Sequence, residues 1–475
     1  MKAIIPDFDE KSKRPYYLQL YDCIKNSILC GETAPGEKLP SLRRLAKALN
    51  LSLTTIDLAY KQLSVEGYIY SKVSSGFFVG DMPFSGGSRG PGADSTELDF
   101  AEAALFAAAP SHQYDLSCFD FNKWKKCLNW VLTEYPHLLL SEGDPQGELM
   151  LRHEISKYLF RSRGATCAPS QIVVGAGTQQ ITGQLSLLLT RMAVNHVTVE
   201  DPCYLPVKNI FRDRGFAMTS VAVGKSGIDI ERLPTNIKSA VYVCPSNQFP
   251  TGAVMPAGRR YELLEWAKRN GSIIIEDDYD SELRYFGKPI PALQGLDTSD
   301  SVVYLGSFSS TLFPSIKISY MVLPEQMAEV WRSIKNDYTQ TCSKAEQLSL
   351  ALFMQHGYYQ TNIRKLRSLY SQKLQAVLNS IRLHGQNFVS PVNSSSGIYV
   401  IVNVKSRKGP AALCREAGSL GVVAAPVSVY TDESAKGACP LILYYNQIPI
   451  ERIGPCMQEL MSKWKAKGDR SLQVE

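Results

Sequence analysis

Apolar positions recur at helical spacing near the start of the chain: Tyr17, Leu20, Ile24 and Ile28 share one face, and the run stops at Gly31. Pro40-Ser41 opens a second run, LRRLAKALN, with Leu42, Leu45, Ala46 and Leu49 on one face and Ser41 placed to cap it. After a short turn Ser52 caps a third helix, LTTIDLAYKQLSVEG, which Gly67 ends, and YIYSKVSSGFFVG reads as two strands around Ser74-Ser75-Gly76. Helix, helix, turn, helix and hairpin predict a winged helix-turn-helix whose third helix enters a major groove. A small helical interaction domain would share the pattern.

From residue 98 onward the period changes. QIVVGAG, HVTVED, AVYVCP, SIIIEDD and SVVYLGSF are β-rich runs separated by amphipathic stretches, which predicts an α/β architecture on a mostly parallel sheet. A long helical stretch near 325–385 and the strand GIYVIVNV near 397 predict a second subdomain, giving a large one over about 115–325 and a small one over about 326–475. Between the two patterns lies DMPFSGGSRGPGADSTE, residues 81–97, where nine of seventeen positions are Gly, Pro or Ser. It predicts a flexible linker with a reach of roughly 20–25 Å, separating a head over 13–80 from a body over 98–475.

Composition adds limits. With 44% hydrophobic and 20% charged residues over 475 positions, the chain buries several cores and is neither disordered nor fibrous. The net charge of +6 is indifferent to nucleic acid, and the first 80 residues carry only 11 Lys+Arg against 8 Asp+Glu. Eleven cysteines without a C-x-x-C pair predict reduced thiols in the cytoplasm, with no disulfide framework and no metal site. No apolar run approaches membrane-spanning length.

LPSLRRLAKALNLSLTTIDLAYKQLSVEGYIYSKVSSGFFV closely resembles the signature of the GntR family of bacterial regulators. The resemblance implies double-stranded DNA as partner, with Arg43, Ser52, Thr54 and Thr55 approaching phosphates and base edges and the wing from Lys72 to Gly76 touching the backbone. Family members usually carry Arg where Leu53 stands, so one bidentate contact is lost.

SEGDPQGELMLRHEISKYLFRSRG, VGAGTQQ, CPSNQFPTG, IIIEDDYDSELRY and GSFSSTLFPSIKISYMVLP follow in the order seen in fold-type I aminotransferases. With the head attached, the chain resembles the MocR subfamily of GntR regulators. The resemblance implies a fold-type I body with large and small subdomains, a homodimer, pyridoxal 5′-phosphate as cofactor and a small-molecule effector. Gly177, Thr178 and Gln179 open a helix whose N–H groups suit a phosphate. By resemblance, Asp277 pairs with the pyridinium nitrogen, Tyr279 bonds the ring oxygen, Asn247 lies in the corresponding loop, Tyr204 stacks on the ring, and Ser307 and Ser309 bind the cofactor. Lys317 takes the place of the family's phosphate-binding Arg.

The decisive departure is Ser310. The family's S-F-S-K carries the Schiff-base lysine, and here the run reads Ser307-Phe308-Ser309-Ser310. Without the ε-amine, covalent cofactor attachment and proton transfer by the lysine fail together, so the resemblance implies a sensor, without catalysis, of pyridoxal phosphate or an amino-compound adduct of it, held non-covalently. The alternatives are a working aminotransferase with a DNA-binding head, or an empty scaffold. Pro206 and Gln447 stand where GABA-sensing members carry Arg, which removes a carboxylate clamp. Because Leu53, Pro206, Lys317 and Gln447 depart together with Ser310, natural divergence is the simpler account of the missing lysine.

Overall fold

Leu20, Tyr21, Ile24 and Ile28 form the buried face of α1 (Tyr16–Leu29). Helix α2 (Leu42–Leu49) starts where the Ser41 hydroxyl accepts the Arg44 N–H at 3.4 Å, and α3 (Leu53–Val65) where the Ser52 hydroxyl accepts the Thr55 N–H at 3.1 Å. Both N-caps satisfy donors that the first helical turn leaves open. Gly67 ends α3 in the left-handed region at φ 81°, which favours glycine. Strands β1 (Ile69–Lys72) and β2 (Gly76–Val79) then pair antiparallel as a wing. Leu20, Ile24, Ile56, Leu63 and Val79 are fully buried, and each such side chain stabilises the unit by about 1.5–3 kcal/mol.

This computed structural model describes residues 8, 14–72, 75–81, 115–285, 290–385, 387–393, 397–432 and 439–465. The chain divides into two units, residues 1–108 and 109–475. Apart from Asp81, the expected linker lies outside the described residues, as do Val73 and Ser74 of the wing turn. No helix among the described residues is long and apolar enough to cross a membrane.

The second unit is built on an eight-stranded sheet. Its strands are β3 (Ile172–Gly175), β4 (His196–Asp201), β5 (Ala217–Gly224), β6 (Gly227–Ile228), β7 (Ala240–Val243), β8 (Ile273–Asp278), β9 (Val302–Ser307) and β10 (Ser319–Val322), in the order β3-β10-β9-β8-β7-β4-β5-β6. From β5 through β4, β7 and β8 to β9 the neighbours are parallel, as the unbroken apolar runs predict. The short strand β10 was not legible behind the turn signals of FPSIK; it slots antiparallel between β9 and β3. Ser319 consequently stands opposite both Ser307 and Gly175.

Helices α4 (Phe121–Glu134), α5 (Leu149–Arg163), α6 (Gly177–Arg191), α7 (Leu205–Asp213) and α8 (Ala257–Asn270) belong to the same unit. Next come α9 (Glu325–Ile334), α10 (Lys344–Gln355) and α11 (Tyr358–His384). The small sheet pairs β11 (Val389–Asn393), β12 (Tyr399–Val404), β13 (Val423–Pro426) and β14 (Cys439–Tyr444), antiparallel in the order β11-β12-β14-β13. It packs with α11, α12 (Pro410–Gly418) and α13 (Ile450–Trp464).

The expected subdomain limit at 326 is displaced. Met327, Trp331 and Ile334 of α9 are buried with the large sheet, and Leu348 to Met354 of α10 join the cluster of α4 and α5. Past residue 326 the core of the small subdomain takes up the chain only at Leu366, inside α11, and Leu283 joins it from earlier in the chain. The division follows where each apolar face is buried, and chain order did not reveal that.

Candidate functional site

The register of β10 brings three turns together. Residues 176–179 follow β3, residues 307–310 end β9 and lead on, and Lys317 precedes β10; Ser319 aligns all three. With Asp277 near the end of β8, Tyr279 just beyond it and Tyr204 beyond β4, they line a cleft of about 560 Å3. It opens at the carboxyl ends of the parallel strands, where doubly wound sheets gather ligands, and is of small-molecule size. Gly177, Thr178, Gln179, Tyr204, Asp277, Tyr279, Ser307, Ser309, Ser310 and Lys317 all line it. Asn247 does not.

One end of the cleft is rich in donors. Ala176, at the cap of α6, offers no side-chain cap, and its own N–H goes to Thr341 Oγ1 at 3.0 Å. The first-turn N–H groups of α6 thus face the cleft beside the Thr178 hydroxyl. Gly177 has φ 85°, and a Cβ there would stand 3.8 Å from the Lys317 side chain. Lys317 is exposed and makes no ion pair among the described residues. Ser307 Oγ accepts the Ser319 hydroxyl at 3.0 Å and the Ser309 N–H at 3.3 Å. N–H groups, hydroxyls and one ammonium form a donor set suited to a phosphate dianion.

The floor is acidic. Along β8 side chains alternate between faces: Glu276 accepts the Leu293 and Gln294 N–H groups at 2.8 and 2.9 Å, Asp277 meets the cleft, and Asp278 pairs with buried Arg163 at 2.7 Å. The Tyr242 hydroxyl donates to Asp277 Oδ2. Burial pushes the Asp277 carboxyl up to about 6, against the lowering effect of that hydrogen bond. Behind it Glu200, wholly buried, accepts the Cys244 N–H at 3.0 Å and is pushed by burial up to about 8; its Oε1 has no hydrogen-bond partner.

Asn247 stands behind Tyr279. Its amide donates to both Asp280 oxygens, at 3.0 and 2.8 Å, and to the Tyr279 hydroxyl at 3.3 Å. It reaches the cleft through Tyr279. Ser310 Oγ donates to the Tyr279 main-chain carbonyl at 2.6 Å. Tyr204 is 37% exposed at the start of α7, with Phe249 edge-on to its ring at 5.9 Å. Pro206 and exposed Gln447 lie outside the lining. On β14, Tyr444 lines the cleft, and Ile442, fully buried, packs with Phe249 and Tyr399.

Sequence reasoning missed much of that wall: Tyr242, Phe249, Ile398, Tyr399, Tyr430 and Tyr444 also line the cleft. The available signal was compositional, 24 tyrosines in the chain. Nothing in local spacing says which of them converge.

In the head, Arg43 and Thr54 are exposed, and Arg43 makes no ion pair among the described residues. The Ser52 and Thr55 hydroxyls bond each other at 2.8 Å and are engaged in starting α3. Leu53 is 48% exposed beside them. On the wing, Lys72 Nζ sits 5.0 Å from the Phe78 ring centroid and Lys38 Nζ sits 5.8 Å from it. Lys38, absent from the sequence reading, also lies against Gly76, 3.5 Å from where a Cβ would stand. Together Lys38, Lys72, Arg43 and Thr54 supply the charge and hydrogen-bond donors that phosphate contacts need.

Comparison with known proteins matches residues 16–79 to the family described as bacterial regulatory proteins, gntR family, and residues 135–430 to aminotransferase class I and II. The uncharacterized HTH-type transcriptional regulator YdeL of Bacillus subtilis is 37% identical over 90% of this chain and 92% of its own. The probable rhizopine catabolism regulatory protein MocR of Rhizobium meliloti is 29% identical over 88% of each. Among solved structures, the kynurenine aminotransferase of Pyrococcus horikoshii superposes with a TM-score of 0.63 at 22% identity, over 86% of this chain and all of that one, and shares the fold. With a gntR-type winged helix-turn-helix in front of a fold-type I body, the chain belongs to the MocR subfamily of GntR transcription regulators.

Proposed function

We propose that this regulator binds double-stranded operator DNA as a cytoplasmic homodimer, through the head over 13–80, and that the body over 98–475 senses a small molecule next to a non-covalently held pyridoxal 5′-phosphate, without catalysis. Residues 81–97 act as the linker between them.

The donor set at the start of α6 supports the cofactor reading. Gly177, Thr178, Gln179, Ser307, Ser309 and Lys317 would hold the phosphate, Asp277 the pyridine nitrogen and Tyr279 the ring oxygen, with Tyr204 against the ring face. Asn247 would orient the Tyr279 hydroxyl. When bound, the cofactor supplies an aldehyde and an electron-withdrawing ring. Position 310 offers no amine to that aldehyde. Its hydroxyl is turned to the Tyr279 carbonyl, an acceptor that cannot take a proton from it as a base would. This hydrogen bond, inside an otherwise complete donor set, is the observation that carries the reading.

In the head, Arg43 and Thr54 would approach the duplex from α2 and α3, Lys72 and Gly76 from the wing, while Ser52 and Thr55 would act mainly by fixing the start of α3.

The test is operator binding by the full-length protein with and without added pyridoxal phosphate, alongside an assay for amino-group transfer from a panel of amino donors. Cofactor-dependent operator affinity with no transfer is expected. Saturable transfer by the unmodified protein would overturn the reading in favour of an aminotransferase bearing a DNA-binding head.

A further inference from the structure

The wall of the cleft facing the small subdomain differs in chemistry from the donor-rich end. It consists of Phe249, Ile398, Tyr399, Tyr430 and Tyr444. Phe249 is the hub, meeting Tyr430 at 5.0 Å, Tyr399 at 5.8 Å, Tyr204 at 5.9 Å and Tyr279 at 6.2 Å, each edge-to-face. The phenols of Tyr279 and Tyr399 hydrogen-bond each other at 3.1 Å. Rings make up most of this wall and meet one another edge-to-face around Phe249. The only charged side chains among the described lining residues are Asp277 on the floor and Lys317 at the α6 end. A carboxylate set against this wall would lose water without gaining a cation, whereas an aromatic ring gains edge-to-face contacts and an ammonium gains ring faces.

We propose that this wall is the effector chamber and that it takes a small molecule with an aromatic or bulky hydrocarbon body, neutral or cationic, and without a carboxylate. The proposal rests on reading the other end of the cleft as the cofactor site.

The experiment uses full-length protein loaded with pyridoxine 5′-phosphate, which has neither an aldehyde with which amine probes could condense nor an ammonium that would pair with a carboxylate. Calorimetric titration compares 2-phenylethanol and phenethylamine with 3-phenylpropanoate and GABA. The first two are expected to bind at least about tenfold more tightly than the last two. Phe249→Ala should weaken the aromatic probes, and Tyr430→Ala, at a half-buried position, does the same duty should the first variant not fold. Tyr444→Arg should shift the preference toward 3-phenylpropanoate. Carboxylate probes binding as tightly as 2-phenylethanol, or no aromatic probe binding at all, would overturn the proposal. Failure to load pyridoxine 5′-phosphate would overturn the cofactor reading instead, and the same probe series on the unloaded protein then decides the chamber by the same criterion.

Discussion

Ser310 Oγ reaches the main-chain carbonyl of Tyr279 at 2.6 Å, tying the turn after β9 to the residue just beyond β8. The bond does structural work that a lysine in that place could not do while free to react. Ser310→Ala should therefore cost about 1 kcal/mol of stability and leave cofactor affinity within about threefold, as equilibrium dialysis would show. Ser310→Lys is expected to retain pyridoxal phosphate covalently, read as added mass after borohydride reduction. A reduced Ser310→Lys protein without that mass would argue that the cleft is no cofactor site.

Asp277 predicts a pH dependence. Its carboxyl is raised above the ordinary value to about 6 by burial, so in the free protein it is charged above that pH and neutral below. Only the charged form pairs with a protonated ring nitrogen. Cofactor affinity should fall by up to about tenfold per pH unit as pH drops below 6. Asp277→Asn should remove that part of the profile, and the difference between the two titrations isolates it from the cofactor's own ionisation.

Glu200 predicts a stability effect of definite sign. Folded, it holds its proton up to about pH 8, whereas unfolded it loses it near 4.3. Between those values the folded state binds more protons, so this group's contribution to stability is greatest below pH 4 and declines through pH 8 with a slope approaching about 1.4 kcal/mol per unit. Glu200→Gln should gain on the wild type steadily from pH 5 to 8 in urea unfolding. Parallel curves would refute this.

For the head, Arg43→Ala and Lys72→Ala should each weaken operator binding and lower the salt dependence of log K by about 1. Lys38→Ala should behave like Lys72→Ala, because both cations rest on the Phe78 ring. Leu53→Arg, restoring a bidentate donor at an exposed position, is expected to tighten binding. Fluorescence anisotropy at several salt concentrations measures all four.

Much of the fold was legible in residue order. Ser41 and Ser52 announced two helix starts, and the Val/Ile-rich runs announced the parallel strands, because caps and apolar runs are local signals. Three features were not. β10 hid behind turn residues, since its place depends on pairing with β9 and β3, strands distant in sequence. The allegiance of α9 and α10 depends on which surface their apolar faces meet. Asn247 carried the right motif but the wrong neighbourhood: its partner Asp280 is 33 residues away. The tyrosine wall is likewise an assembly of residues 249 to 444 that no window spans.

The alignment of Ser319 with both Ser307 and Gly175 has a consequence for how such a protein can diverge. The three turns around the cleft are spaced by main-chain pairing, which any side chain can inherit. Their spacing is thus inherited from the backbone, and the Ser310 hydroxyl adds only a local tie to it. A lineage can surrender the reactive group and keep the room it stood in, leaving a furnished cavity open to a new occupant.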